Sequence, residues 1–308
     1  MSFQVALSNV LLTLLYILPG FLLGKRRKNA AEHLPTLSAV LVYICSPCLP
    51  VSAFLALDFS WEAFGQLWLF FLITLILQSA FMALLYLLLR RHYDDARYRV
   101  LNIACVLGNV GFFGIPVMRA LLPNNPEVAG YAAMYIVSMN ILVFTMGVYC
   151  LTKNKKYMSI KSALVNPTVL GFAVALPLYM TGGRQYLPKM LTDAIDLMGK
   201  MTTPLCMTIL GIRLSTVPMK RLFSQPFAYA ASAGKLLLFP LFCFACLYFL
   251  PLSFPFKASV LVLSATPCAS VIFNLAELHR SEGALSANCV MLSTLLCFMT
   301  IPLMTLLV

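Results

Sequence analysis

Within nine residues, Gly108-Asn109-Val110-Gly111-Phe112-Phe113-Gly114-Ile115-Pro116, an otherwise apolar stretch carries three glycines, a neutral amide and a proline. A glycine inside a helix costs about 1 kcal/mol and a proline about 3. Pro116 also removes the donor that the carbonyl of Phe112 would use. A continuous helix is not expected here. A second stretch, Leu263-Ser264-Ala265-Thr266-Pro267-Cys268-Ala269-Ser270, is interrupted in the same way. Pro267 leaves the carbonyl of Leu263 without its partner and biases Thr266 away from helix. Each break exposes the N-terminus of a half-helix, which carries about half a positive charge. Two such ends meeting would bind an anion without any charged side chain. The candidate residues are Gly108, Asn109, Gly111, Gly114 and Pro116 in the first break and Thr266, Pro267 and Ser270 in the second. The bland alternative is close helix packing through small residues beside ordinary proline kinks.

Other polar residues sit inside apolar runs. Lys235 lies near the middle of one, where an ionised lysine costs about 2.5–3.5 kcal/mol on insertion scales and marks a cavity or a partner. Its alternative reading is a hydrogen bond to carbonyls freed by a break. Lys200 follows Asp196 by four residues, the favoured acid-before-base order. Asn140 and Asn274 complete the set of supporting polar candidates. Glu277, His279, Arg280 and Glu282 read as a solvated helix end.

Absences narrow the chemistry. The histidines, His33, His92 and His279, all lie near loops, and no HExxH, GxSxG or P-loop pattern occurs. No resident metal or cofactor is expected, and enzymatic activity is not expected. No aspartate lies deep in an apolar run, which argues against a paired-carboxylate exchanger. The ten cysteines, including the Cys45/Cys48 and Cys243/Cys246 pairs, read as small buried hydrophobes.

The elements that must hold these residues follow from composition. Of 308 residues, 61% are hydrophobic and 10% charged, and the mean hydropathy is +0.90. A soluble domain is about 45–50% apolar and about 25% charged. The chain is therefore read as an all-α polytopic membrane protein. Apolar runs predict ten transmembrane helices, roughly 5–24, 35–57, 64–90, 97–121, 128–152, 160–181, 188–213, 226–250, 256–278 and 284–307. Sixteen of the 22 lysines and arginines, Arg99 and Arg213 among them, fall in alternate connectors, beginning with Lys25, Arg26, Arg27 and Lys28; four fall on the other side. This bias makes the basic connectors cytoplasmic and places both termini on the extracytoplasmic side of the cell (inner) membrane. The same clustering turns the net charge of +12 toward membrane orientation and away from nucleic acid. The first run reads as a retained span and not as a cleaved signal.

The halves echo each other at an offset near 158: Pro19 and Gly24 fall on Pro177 and Gly182, and Gly108-Asn109 on Thr266-Pro267. Gln78 falls near Lys235, and Pro47 near Pro204. A tandem copy of a five-span unit inserts upside down, so residues 1–152 and 163–308 form a 5+5 inverted repeat about a cytoplasmic linker at 153–162. Matched interruptions in the two halves are the sequence pointer to a transporter's binding site.

The residues Gly108 to Pro116 resemble the fourth-span signature of the auxin efflux carrier family, which includes bacterial malate-permease-like transporters and, more distantly, the plant PIN proteins. Ala265-Thr266-Pro267-Cys268-Ala269-Ser270 with Leu275-Ala276-Glu277 is similar to its second signature, and Thr203-Pro204, Gly211, Lys235 and Pro240 look like further family features. Thr266 departs from the pattern, in which Met precedes this proline in many relatives. The resemblance implies crossed, broken helices 4 and 9 of the NhaA and bile-acid-symporter type. It implies that Asn109, Pro116 and Pro267 lie at the crossing. It also implies movement of a small organic anion, such as a dicarboxylate or an auxin-like acid, by alternating access. A proton is the expected coupling ion, with sodium as the alternative, and the oligomer expected from the family is a homodimer. A membrane sensor that binds the same ligand without moving it is the other functional reading.

Overall fold

The computed structural model describes residues 3–27, 29–217 and 219–307. Lys28, the last member of the first basic cluster, lies outside the described residues, as does the side chain of Arg221. In chain order the helices are α1 (Phe3–Arg26), α2 (Ala30–Leu55), α3 (Trp61–His92), α4 (Ala96–Val106), α5 (Val110–Leu121) and α6 (Glu127–Thr152). They continue as α7 (Lys155–Met180), α8 (Lys189–Thr216), α9 (Pro226–Leu247), α10 (Phe254–Ser264), α11 (Ser270–Leu278) and α12 (Gly283–Leu307). Among the described residues the one extended contact is an antiparallel bridge between Gly108 and Cys268.

Seven of these helices (α1, α2, α3, α6, α7, α9 and α12) are long and apolar enough to cross a membrane. The fold is that of an all-helical polytopic membrane protein. Helix α8 has the length, at 28 residues, but carries Lys189, Asp193, Asp196, Lys200 and Arg213. The stretches read from the sequence as spans 4 and 9 are each two shorter helices, α4 with α5 and α10 with α11. The interruptions fall where glycine and proline weaken the helix.

Prolines also shape the helices that continue. Three of the four π-helical turns among the described residues, Leu41–Cys45, Val110–Gly114 and Gly234–Leu238, end two residues before a proline (Pro47, Pro116 and Pro240); the fourth, Val143–Gly147, does not. A proline has no N–H for the carbonyl four residues back, and its ring crowds that carbonyl. Widening the preceding turn by one residue relieves the clash and keeps the chain helical. In α1, Pro19 denies a donor to Leu15, and the helix is interrupted at Tyr16.

Two groups of helices pack within themselves. The second half of α1 lies along α8, and α2 lies along both α7 and α8. In the other group α3 packs on α6, α9 on α12, and α4 and α10 on α9. Ring contacts bind each group: Phe54 of α2 meets Phe172 and Tyr179 of α7 edge-on. In the other group Tyr131 of α6 stacks on Phe70 of α3, and both meet Phe256 of α10. Arg99, grouped by the sequence with the connector charges, is buried. Its guanidinium donates to the carbonyls of Cys150 (2.7 Å), Tyr93 (2.9 Å) and Asp94 (2.6 Å), tying the start of α4 to the end of α6. On the same side Lys153 pairs with Asp94 and holds that carboxyl below the usual carboxylate range.

The α1–α8 contact depends on absent side chains. A Cβ on Gly211 would stand 2.7 Å from the backbone nitrogen of Phe21 and 3.1 Å from the carbonyl carbon of Gly20. Gly20 and Gly24 present the same closeness from α1, in the small-xxx-small spacing that lets membrane helices touch along their backbones. Gly211→Ala is expected to lower the unfolding temperature in detergent, since neither backbone can yield. Gly65→Ala is the control: a Cβ there meets nothing within 4 Å, and the thermal melt is expected to stay or rise slightly.

Candidate functional site

The two interrupted segments cross at their breaks, and the backbone does the joining. The amide of Asn109 donates to the carbonyl of Pro267 (2.7 Å), and the amide of Ala269 donates to the carbonyl of Leu107 (2.9 Å). Groups orphaned by the breaks find other partners, as buried backbone requires. The Leu263 carbonyl, denied a donor by Pro267, accepts the Thr266 hydroxyl at 2.7 Å. The Cys268 amide donates to the Ser293 hydroxyl of α12 (3.0 Å), and the Cys268 thiol to the carbonyl of Ala104 (3.2 Å). The Ser264 carbonyl takes the ammonium of Lys235. Gly108 is at the centre: a Cβ there would run into the Thr266 hydroxyl and stand 2.9 Å from Lys235 Nζ.

Beside the crossing opens a cavity of about 600 Å³. Asn109, Cys206, Ser270 and Met291 line its deep end. Its mouth is lined by Ala31, Leu34, Arg213, Thr216, Val217 and Glu277, at the ends of α2, α8 and α11 nearest the basic connectors. Most of the wall is apolar, from Leu41, Ile209, Leu210, Phe112, Phe273 and Val290. Neither helix that begins at the crossing has a side-chain cap: Asn109 precedes α5 and Ala269 precedes α11, and neither makes a capping bond. Ser270, the first residue of α11, lines the cavity, so the positive end of that helix's dipole lies beside it. Arg213 is the one lysine or arginine among the lining residues. Its guanidinium lies 4.1 Å from the centroid of the Phe273 ring, a stacking distance.

The sequence matches the membrane transport protein family over residues 5–305. The chain belongs to this family, the auxin efflux carriers. An uncharacterized transporter of Methanocaldococcus jannaschii is 23% identical over 304 residues, 96% of each chain. This family member is a multi-pass membrane protein of a transport family.

In this family member the residues singled out from the sequence separate into four groups. Asn109, Ser270 and Asn274 line the cavity, the last two one turn apart on α11. Gly108, Gly114, Thr266, Pro267 and Lys235 build the crossing behind it: Thr266 and Lys235 are wholly buried, and a Cβ on Gly114 would press on Leu263 and Thr266. Pro116 follows the π-turn at the start of α5, and Gly111 faces Ile136 of α6 and Leu49 of α2. Asn140 and Lys200 are not brought to the cavity. Asn140 is buried in α6. Lys200 pairs with Asp196 at 2.5 Å on an exposed face of α8, with its side chain 66% exposed. Asp196 also accepts the Ser52 hydroxyl of α2 at 2.7 Å.

Arg213, Phe273 and Cys206 were not singled out from the sequence, and Glu277 was placed in a solvated helix end. Arg213 counted there as a connector charge. Helical phase held the missing signal: Cys206, Ile209, Leu210 and Arg213 recur at i, i+3, i+4 and i+7 and share one face of α8. Cys206 and Asn109 both line the floor of the cavity. Eight of the ten cysteines are buried, and none is in a disulfide.

Proposed function

We propose that this membrane transport protein is a secondary transporter that moves a small organic anion by alternating access around the crossing. One observation carries the reading. Asn109 from the first break and Ser270 from the second meet a single cavity at its deep end, together with the uncapped start of α11. A carboxylate seated there would receive the Asn109 amide and the α11 backbone donors, while the apolar wall takes the rest of the molecule. Arg213, two turns nearer the mouth, supplies the positive charge that draws an anion in.

The same reading takes the chain as ten membrane-crossing segments in two inverted five-segment halves, residues 1–152 and 163–308, joined by 153–162. Helix pairing supports it. Exchanging the halves maps the α1–α8 pair onto α7–α2, and the α3–α6 pair onto α9–α12; all four are close-packed pairs. The cavity lies between α2 and α8 on one side and α5, α11 and α12 on the other. Those two groups are the bodies whose relative movement would open the opposite face. With the basic connectors in the cytoplasm and both termini outside, the cavity is the inward-open one. The Asp196 cluster with Ser52 and Lys200 then belongs to the closed outer side.

Purified protein in liposomes loaded with unlabelled L-malate, succinate or indole-3-acetate tests this by counterflow of the labelled acid. Saturable exchange of at least one acid is expected, and Asn109→Ala is expected to reduce it at least tenfold with the thermal melt unchanged. Binding of an acid without exchange would overturn transport in favour of a sensor. Undiminished exchange by Asn109→Ala would remove the crossing as the site.

A further inference from the structure

Lys235 is the one fully buried lysine of the crossing, and the cavity does not use it. Its side chain is 0% exposed, and it leaves α9 from the π-turn Gly234–Leu238, which the following Pro240 accounts for. Among the described residues no carboxylate pairs with it. The ammonium donates to the carbonyl of Ser264, the last residue of α10. The Phe239 ring lies 5.0 Å from it, and its tip rests against Gly108.

The Ser264 carbonyl needs that donor for a traceable reason. In a continuous helix it would accept the amide of Cys268, four residues on. That amide is diverted to Ser293 of α12. The neighbouring Leu263 carbonyl has lost Pro267 and is served by Thr266. The carboxyl end of α10, with about half a negative charge, therefore stops inside the protein against an ammonium. The carboxyl end of α4 is treated differently. Its carbonyls at Ala104 and Leu107 accept the Cys268 thiol and the Ala269 amide from the other break. At the position that matches Lys235 in the sequence echo stands Gln78, a neutral amide bonded to Thr74 and Ser138. So one of the two carboxyl ends at the crossing is met by neutral donors, and the other by a full positive charge.

Interrupted helices of transporters commonly use such carboxyl ends and unwound carbonyls to bind a sodium ion or a proton. We propose that Lys235 is a tethered cation that occupies this place permanently, so that the crossing assembles without a bound sodium ion and no sodium site exists at the carboxyl end of α10. For coupling, the inference rests on the transporter reading and leaves the proton as the ion to be tested. The cation's structural place does not rest on that reading.

The experiment needs no transport substrate, so its failure is separate from failure of the proposed function. The purified full-length protein is melted in detergent at constant ionic strength in sodium, potassium or choline chloride. The wild type is expected to unfold at the same temperature in all three. Lys235→Met, which fills the space without the charge, is expected to unfold about 5 °C lower, the size set by one lost charge-assisted hydrogen bond. Lys235→Ala, prepared with ethylammonium chloride present from solubilisation onward, is expected to regain part of its loss, and Lys235→Met is not. A saturable rise in the wild-type melt with sodium alone would overturn the proposal. So would a Lys235→Met protein as stable as the wild type, or a Lys235→Ala protein indifferent to ethylammonium. The sodium comparison on the wild type stands even if neither variant can be extracted.

Discussion

Gly108→Val is expected to dismantle the crossing and to lower the unfolding temperature further than Gly114→Ala, which lies six residues along the same segment. The reason is what each new side chain would meet. At Gly114 the nearest atoms are side-chain methyls, Leu263 Cδ2 at 2.9 Å and Thr266 Cγ2 at 3.2 Å, and the leucine tip can turn aside. At Gly108 the first atom met is the Thr266 hydroxyl, followed by Lys235 Nζ at 2.9 Å and Cε at 3.0 Å. Both groups are committed, because Thr266 satisfies the carbonyl of Leu263 and Lys235 that of Ser264. The backbone cannot retreat either, since the Asn109–Pro267 and Ala269–Leu107 bonds pin it on both sides. Overpacking costs about 1–3 kcal/mol, and each buried group left without a partner about 1–3 more. Thermal unfolding of the two variants in the same detergent checks this. A Gly108→Val melt matching that of Gly114→Ala would mean that the crossing is looser than its hydrogen bonds indicate.

That outcome bears on how much could be read from the chain. The positions of both breaks were legible, because Pro116, Pro267 and the glycines near them act locally: each removes a donor or weakens a turn whatever surrounds it. That the breaks cross was implied by the family resemblance, whereas their matched positions pointed only to a shared site. The partners of the freed groups were not legible. The Ser264 carbonyl is orphaned because Ser293, 25 residues on, captures the Cys268 amide, and nothing local to Thr266-Pro267 signals that diversion. Lys235 was read as either a cavity charge or a donor to freed carbonyls, and the geometry supplies the second. Lys200 looked comparable in sequence, four residues after Asp196, yet that spacing satisfies the pair on its own helix face and needs no cavity. Helix α8 shows why charge counting misleads at helix ends. Lys189 and Arg213 both flank the apolar part of one helix, and only the packing of α2 and α11 turns Arg213 inward to the cavity.

Arg213 carries the second large effect. Its guanidinium reaches from α8, in one helix group, to Phe273 on α11, in the other, and Glu277 lines the same mouth one turn beyond Phe273. An arginine stacked on a ring keeps its in-plane N–H groups free, which suits a carboxylate approaching edge-on. Losing a charge-assisted hydrogen bond costs about 1.5–3 kcal/mol. Arg213→Ala is accordingly expected to raise the half-saturating concentration of a transported carboxylate about 10- to 100-fold. Arg213→Lys keeps the charge without the planar stack and is expected to fall between the two. Glu277→Gln is expected to act in the opposite direction, because it removes the anion that competes for the guanidinium. The concentration dependence of counterflow in liposomes measures all three, and the thermal melt separates a binding effect from a folding one. If Arg213 only latched the two helix groups together, Phe273→Leu would match Arg213→Ala, and Glu277→Gln would leave the half-saturating concentration where it was. Opposite shifts from Arg213→Ala and Glu277→Gln at an unchanged melt require that the guanidinium meet the substrate's own charge.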